Sequence, residues 1–170
     1  MGQVNVKREL TRLRRRLSEV AKEVDKLSRE VGEVVSKARK ELDLDTLMKL
    51  CEVNEKLLKV VNELNDLDGK CYHLRYDVVL KPIRDLLQIF DEIRGYVSKH
   101  EEQLMKIRKN IEEVVTHTVT EIDALDELIH SEIRRVDEIR EEILRVVEMP
   151  TLHKLAVACR MVREALRLSR

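Results

Sequence analysis

Residues 6–38, "VKRELTRLRRRLSEVAKEVDKLSREVGEVVSKA", carry the most regular pattern in this 170-residue chain. The apolar residues recur in alternating steps of four and three without a miss, which is the heptad spacing of a helix that packs lengthwise against other helices. We therefore predict a first helix over about residues 5–42. Its apolar row consists of Val6, Leu10, Leu13, Leu17, Val20, Val24, Leu27, Val31, Val34 and Ala38.

A second helix is predicted directly after a short connection. In "DLDT", residues 43–46, Asp45 is the expected N-cap of a helix that begins at Thr46 and extends to about residue 80. Because the connection is short, this helix is expected to run antiparallel to the first. The apolar row keeps its register through Gly69, which favours a continuous helix there. It consists of Leu50, Val53, Leu57, Val60, Leu64, Leu67, Cys71, Leu74 and Val78.

The rest of the chain is divided by proline. Pro82 lacks a backbone donor and disfavours helical geometry at the residue before it, so we expect a kink or break there. Residues 83–148 form either one helix or two helices divided near residues 95–100, and a single helix of roughly 100 Å would need another surface to bury its apolar row. A last helix is predicted over residues 150–170, because proline is tolerated in a first helical turn. The row after Pro82 includes Leu86, Phe90, Ile93, Val97, His100, Leu104, Ile107, Ile111, Val114 and Thr118.

The composition favours an all-α fold. Charged residues make up 39% of the chain and aromatic residues 2%, with four glycines and two prolines, a profile typical of long helices. No glycine-rich loop is present to hold a nucleotide phosphate. We predict an elongated antiparallel helical bundle or coiled coil of three long helices in residues 1–148, followed by the short C-terminal helix. The charge-rich composition also resembles that of thermophilic proteins, in which ion-pair networks are common.

The three cysteines are not expected to pair. Cys51, Cys71 and Cys159 are odd in number, lie far apart and form no Cys-x-x-Cys motif, so neither a disulfide framework nor a zinc site is predicted. Cys71 and Cys159 fall in apolar rows and are expected to be small buried residues. The lack of a disulfide pattern, of a signal peptide and of an apolar membrane span favours a cytoplasmic protein.

The sequence contains no convincing catalytic or metal-ligating arrangement. Its one Glu-x-x-His spacing is Glu127 with His130, and the nearest comparable pair, Glu113 with His117, lies about 20 Å away along a helix. The two pairs therefore cannot share a di-iron site of the kind that helical bundles hold. We predict no catalytic residue, no metal site, no cofactor and no enzymatic activity.

A row of basic residues lies opposite the apolar row of the first helix. This basic stripe is either a solvated surface or a docking site for phosphates or an acidic helix. No aromatic side chain lies between its members to stack on single-stranded nucleic acid. Residues 1–42 carry 12 basic and 7 acidic side chains, and residues 81–148 carry 11 and 17, so these segments can pair within one chain or between copies. The stripe consists of Arg8, Arg12, Arg15, Lys22, Lys26 and Arg29.

The last helix has more apolar surface than one neighbouring helix covers. It either packs at the end of the bundle against two helices or docks, as a basic amphipathic segment, on a partner protein or an anionic membrane. The candidate docking residues are Leu152, Leu155, Cys159, Arg160, Val162, Arg163, Leu166 and Arg167. A second apolar side consists of Val157, Met161, Ala165 and Leu168.

These patterns favour a non-enzymatic structural or scaffolding protein that acts by self-association or by binding another helical protein. A basic first helix in a helical hairpin followed by acidic helices is similar in layout to the membrane-remodelling ESCRT-III and phage-shock families, in charge order and helix lengths only. A nucleic-acid packaging or viral structural protein that uses the basic stripe is a further alternative. Anionic membranes and nucleic acid are thus the alternative partners.

Overall fold

The computed structural model describes residues 2–96 and 98–169, and the side chains of residues 6–96, 99–151 and 153–169. Every element in these ranges is helical, and the long helices pack against each other as an all-α bundle. Among the described helices, none contains an apolar stretch of membrane-spanning length. The elements are α1 (Gly2–Lys40), α2 (Leu44–His73), a π-helical segment (Leu74–Leu80), α3 (Lys81–Arg94), a 3-10 turn (Ser98–His100), α4 (Glu101–Val147) and α5 (Leu152–Ser169).

The chain forms two compact units, each with its own core. Unit 1 comprises Met1–Arg16 and Asp66–Ile129, and unit 2 comprises Leu17–Asn65 and His130–Arg170. In unit 2, α5 adds buried side chains to those of α1, α2 and α4. In unit 1, α1, α2 with its π-helical continuation, and α4 supply the buried side chains, which are Val6, Leu10, Leu13, Leu67, Cys71, Leu74, Val79, Ile122, Leu125 and Ile129.

Ion pairs between helices show which helices are neighbours in each unit. In unit 1, Arg16 of α1 donates a hydrogen bond to Asp66 of α2 at 3.2 Å, and Arg14 lies 3.8 Å from Glu121 of α4. Such exposed pairs add little stability, but they show that α1 contacts both other helices. The corresponding pairs in unit 2 are Glu30 with Lys56 and Asp25 with Arg135.

The predicted apolar row of α1 is confirmed along its full length. All ten of its residues are buried, and the most exposed, Val34, retains only 9% of its accessible surface. Complete burial of a valine or leucine side chain contributes about 1.5–3 kcal/mol. This packing, rather than helix propensity, is what stabilises most helices in proteins.

The N-cap of α2 differs from the prediction. α2 begins at Leu44, and its cap is Asp43, whose Oδ1 accepts a hydrogen bond from the Thr46 backbone N–H at 2.8 Å. The prediction of Asp45 is wrong because Asp45 already lies in the first turn, where its carboxylate pairs with Lys49 at 3.3 Å. The hydrogen bonds from Thr46 lower the pKa of Asp43.

Before Pro82 the helix changes from α-helical geometry in α2 to π-helical geometry over Leu74–Leu80. Because Pro82 has no N–H, it cannot donate the α-helical hydrogen bond to the Val78 carbonyl. A π-turn closes with a hydrogen bond five residues along the chain instead of four, so the next inward-facing residue comes one position later. Val79 is accordingly buried (7% exposed) and Val78, which the apolar row predicts as buried, is only half-buried.

The segment after Pro82 consists of two helices. α3 ends at Arg94, and α4 begins at Glu101 after a turn. α4 ends before Glu148, which adopts a left-handed conformation (φ 54°) of the kind that terminates helices. Thr151 then caps α5, with its Oγ1 accepting a hydrogen bond from the Lys154 N–H at 3.1 Å.

One amide side chain is enclosed in the core of unit 2. Asn54 of α2 is 1% exposed, and no described residue forms a hydrogen bond with its Oδ1 or Nδ2. A buried polar group without a partner costs about 1–3 kcal/mol. Asn54 therefore lowers the stability of unit 2 relative to an apolar residue of the same shape.

Replacing Asp43 by alanine is expected to lower the melting temperature at neutral pH, because α2 loses its N-cap and the Thr46 N–H loses its hydrogen-bond acceptor. The folded-state pKa of Asp43 lies below its ordinary value of 3.8. The carboxylate therefore stabilises the fold above that value, and this stabilisation is lost as the pH falls through the folded-state pKa. In thermal melts at a series of pH values, the difference between wild type and variant should shrink below about pH 4. Asp45→Ala is the matched control, and an equal loss in it contradicts the assignment.

Replacing Asn54 by leucine, which keeps the branched shape, is expected to raise the free energy of unfolding by about 1–2 kcal/mol in a denaturant titration. Asn54→Ala removes the same amide but leaves a cavity, so its gain should be smaller or reversed. A leucine variant that folds normally and is less stable than wild type would show that the amide is satisfied in solution.

Candidate interaction surfaces

α3 and the first part of α4 form an antiparallel hairpin within unit 1. Arg94 near the end of α3 donates a hydrogen bond to Glu101 at the start of α4 (Nη2 to Oε1, 2.7 Å), and Asp91 accepts one from Arg108. Farther from the turn, Val115 lines a groove together with residues of α3. Along these contacts the residue numbers decrease on α3 while they increase on α4. The two helices are therefore antiparallel.

The apolar residues of this hairpin are not buried. No residue of α3, and no residue of α4 before Ile122, is buried in the described part of the chain. Two helices cover only the row along which they meet, so four residues of the predicted apolar row after Pro82 are 44–48% exposed in the single chain: Leu86, Ile93, Ile107 and Val114. His100 is also exposed, and Val97 lies outside the described residues.

The exposed apolar residues share one side of the hairpin. Leu86 and Ile93 are seven residues apart on α3, and Ile107 and Val114 are seven residues apart on α4, so each pair lies on one side of its helix. Each pair is displaced in the same rotational sense from the inner row of its helix, which places both pairs on the same side of an antiparallel hairpin. Together with Ile89, which is 53% exposed, these four residues are called the hairpin face below.

An open groove of about 700 Å³ also lies between α3 and α4. Its lining mixes apolar side chains, such as Ile83, Leu87 and Val115, with the charged Arg84 and Asp91. Because it is open to solvent, it does not exclude water as enzyme active sites do.

The C-terminal helix is tied to α2 by a disulfide bond. Cys159 of α5 is bonded to Cys51 of α2 (Sγ–Sγ 2.06 Å, Cα–Cα 5.7 Å), and both residues are buried. The prediction of unpaired cysteines is wrong, because spacing along the chain cannot show that residues 108 positions apart meet in a core. Cys71 is free and buried, as predicted.

Four of the five apolar residues predicted for docking, Leu155, Cys159, Val162 and Leu166, lie on the inner side of α5. Leu155 and Cys159 are buried in unit 2 and are therefore not available to a partner. Val162 and Leu166 are half-buried, and the side chain of Leu152 lies outside the described ones. On this side α5 thus packs into the helical bundle, which was one of the two predicted alternatives.

The basic residues of α5 have different environments. Arg163 donates a hydrogen bond to Glu55 of α2, and this contact raises the pKa of its guanidinium. Arg167 pairs with Glu164 on its own helix at 2.7 Å, whereas Arg160 is exposed and makes no ion pair with a described carboxylate.

All six residues of the basic stripe are exposed on α1. Arg12 lies 3.5 Å from Glu9, and the other five form no ion pair with a carboxylate in the described ranges. The neighbouring Arg14 and Arg16 make the interhelical contacts instead. The stripe is therefore exposed, and its positive charge is largely uncompensated by carboxylates in the described ranges.

The Cys71 thiol is not suited to nucleophilic catalysis. Burial raises the pKa of the Cys71 thiol to about 12, with smaller contributions from the negative charges of Asp126 and Asp68. The thiolate that a nucleophile requires does not form near neutral pH. His117 contacts Glu121 (Nε2 to Oε1, 2.9 Å) one turn farther along α4.

The hairpin face was not among the predicted sites, although one signal for it exists. Apolar residues are doubled at Leu86-Leu87 and Val114-Val115. In a contact between two helices, only one residue of such an adjacent pair can face the partner helix. Two consecutive apolar residues therefore indicate an apolar surface wider than one neighbouring helix covers. Tyr96, at the turn of the hairpin, is 90% exposed.

Comparison with known proteins found no matching family model, no matching curated protein and no matching solved structure.

Replacing both Cys51 and Cys159 by alanine is expected to lower the free energy of unfolding by about 2–4 kcal/mol, because the bond closes a long loop in the unfolded chain. Denaturant titrations with and without a dithiol reductant measure the effect. Wild type and the control Cys71→Ala should both lose stability on reduction, and the double variant should not respond. Reductant sensitivity that persists in the double variant contradicts the assigned pair.

Proposed function

We propose that this chain is a non-enzymatic scaffold protein that works by self-association through the hairpin face. The observation that supports this is the exposure of heptad-spaced apolar residues, 44–53% each, in a chain whose α1 row and whose α2 row from Leu50 to Leu74 are buried. Contiguous exposed apolar surface on a soluble fold marks sites of protein interaction. Packing the hairpin face on further helices would complete a helical bundle.

The balanced charge of the hairpin favours a second copy of the chain as the partner that covers the hairpin face. Residues 81–118 contain seven basic and seven acidic side chains, so two copies of this segment do not repel each other. In a two-fold dimer the same patch meets itself, which requires such self-complementarity. The signs also alternate along α4, from Glu101-Glu102 to Lys106, Arg108 and Lys109 and then to Glu112-Glu113. Antiparallel copies can therefore place an acidic block beside a basic one.

The size of the hairpin face indicates a weak dimer. α3 has 14 residues and is about 21 Å long, and two helices side by side are about 20 Å wide. The projected area of the hairpin face is thus roughly 400 Å² per copy, and a dimer would bury roughly 800 Å² in total. This is below the ~1,200 Å² that a standard stable interface buries. The exposed Tyr96 adds a residue type that often dominates binding energy. Association should accordingly depend on protein concentration.

We retain the cytoplasm as the expected compartment, in a thermophilic host. Disulfide bonds are rare in the cytoplasm of mesophiles but frequent in intracellular proteins of hyperthermophiles. The 39% of charged residues fits the same setting.

Replacing Leu86 and Ile93 by glutamate is expected to abolish association, because the dimer cannot bury unpaired carboxylates. In light scattering behind a sizing column, the wild-type mass should rise from 20.0 kDa toward twice that value as concentration increases. The variant should stay at 20.0 kDa at every concentration.

The matched control is Leu128→Glu with Leu168→Glu, which makes the same charge change at leucines that are 59% and 76% exposed outside the hairpin face. This control should associate like wild type. A wild type that remains monomeric throughout, or a control that loses association equally, contradicts the proposal.

A further inference from the structure

The disulfide bond fixes the rotation of α5 about its own axis. At about 100° per residue, Leu155 and Cys159 lie within about 40° of each other on the helix circumference. Val157, Met161 and Leu168 also lie within about 40° of one another, on the opposite side. Because Cys159 is bonded to Cys51, α5 cannot turn this second group inward.

The second group, called the outer row here, is exposed to solvent. Val157 is 37% exposed, Met161 is 68% exposed and Leu168 is 76% exposed. α5 thus has two apolar sides, of which unit 2 covers one. The helix is held in place before any partner arrives, so binding on the outer row carries little cost of ordering.

Basic side chains flank the outer row on both sides. Arg160 and Arg167 lie about 60–80° to one side of Val157, and Lys154 lies about 60° to the other. Arg160 and Lys154 form no ion pair with a carboxylate in the described ranges. Leu152–Ser169 contains four basic residues and one acidic residue.

The acidic residue, Glu164, falls within the outer row and is the feature least suited to an apolar or anionic partner. Its carboxylate pairs with Arg167 at 2.7 Å, which compensates its charge. Removing the Glu164 carboxylate should therefore strengthen binding rather than weaken it.

We propose that the outer row of α5 docks on an anionic membrane surface. A helix that lies flat on a bilayer inserts an apolar row at the acyl boundary and places basic side chains at the level of the phosphates. Three apolar residues alone, or a few positive charges alone, do not bind a membrane stably. α5 combines both features on one side of the helix. The electroneutral hairpin face lacks the second feature, and docking of α5 does not require association through that face.

The test is co-sedimentation of the oxidised full-length chain with vesicles of phosphatidylcholine containing phosphatidylserine, or of phosphatidylcholine alone. Binding should require phosphatidylserine and weaken as the salt concentration rises. Met161→Glu with Leu168→Glu should reduce binding at least about tenfold. Arg160→Ala should reduce it about fivefold. Glu164→Gln should increase it. Circular dichroism checks that each variant keeps its helices, which is expected because the changed side chains are exposed.

Two controls separate this site from the other surfaces. Leu86→Glu with Ile93→Glu makes the same charge change on the hairpin face, and Arg12→Ala removes one charge from the basic stripe; both should bind vesicles like wild type. No binding to phosphatidylserine vesicles at low salt overturns the proposal. Undiminished binding by the outer-row variant, or a loss in Arg12→Ala that equals the loss in Arg160→Ala, assigns the contact elsewhere and overturns it too.

Discussion

Burial of the α1 apolar row is the interaction on which both cores depend. The row is regular from Val6 to Ala38, and every member is buried. Within each unit α1 contacts both α2 and α4, so these helices have a third neighbour and can close a core. Where only α3 and α4 face each other, the same heptad spacing leaves no buried residue in the described part of the hairpin. The number of helices around a row, rather than its composition, decides whether the row is covered.

Two surfaces remain apolar and exposed for different physical reasons, and their charges suit different partners. The hairpin face is exposed because two helices cannot cover both sides of each other, and its charges cancel over residues 81–118. The outer row of α5 is exposed because the bond between Cys51 and Cys159 fixes the opposite side inward, and cationic side chains flank it. A balanced surface suits a second copy of itself, whereas a basic one suits an anionic surface.

Heptad spacing predicts the all-α fold and the buried rows of α1 and α2, because burial in a bundle follows the helical period. Four features escaped prediction because each depends on information that heptad spacing does not contain. The cap at Asp43 depends on where the backbone leaves helical geometry, and the burial of Val79 instead of Val78 depends on the π-turn before Pro82. The bond between Cys51 and Cys159 depends on two distant positions meeting in space. Exposure at Leu86 and Val114 likewise depends on how many helices surround the hairpin in the described part of the chain, which heptad spacing does not report.

Hydrogen–deuterium exchange of the wild-type chain at low and high protein concentration locates the surface of self-association without any substitution. Association through the hairpin face predicts that amide protection rises with concentration in residues 81–118 and stays constant in the rest of the chain. Protection that does not change with concentration, or that rises only outside this hairpin, would contradict the account.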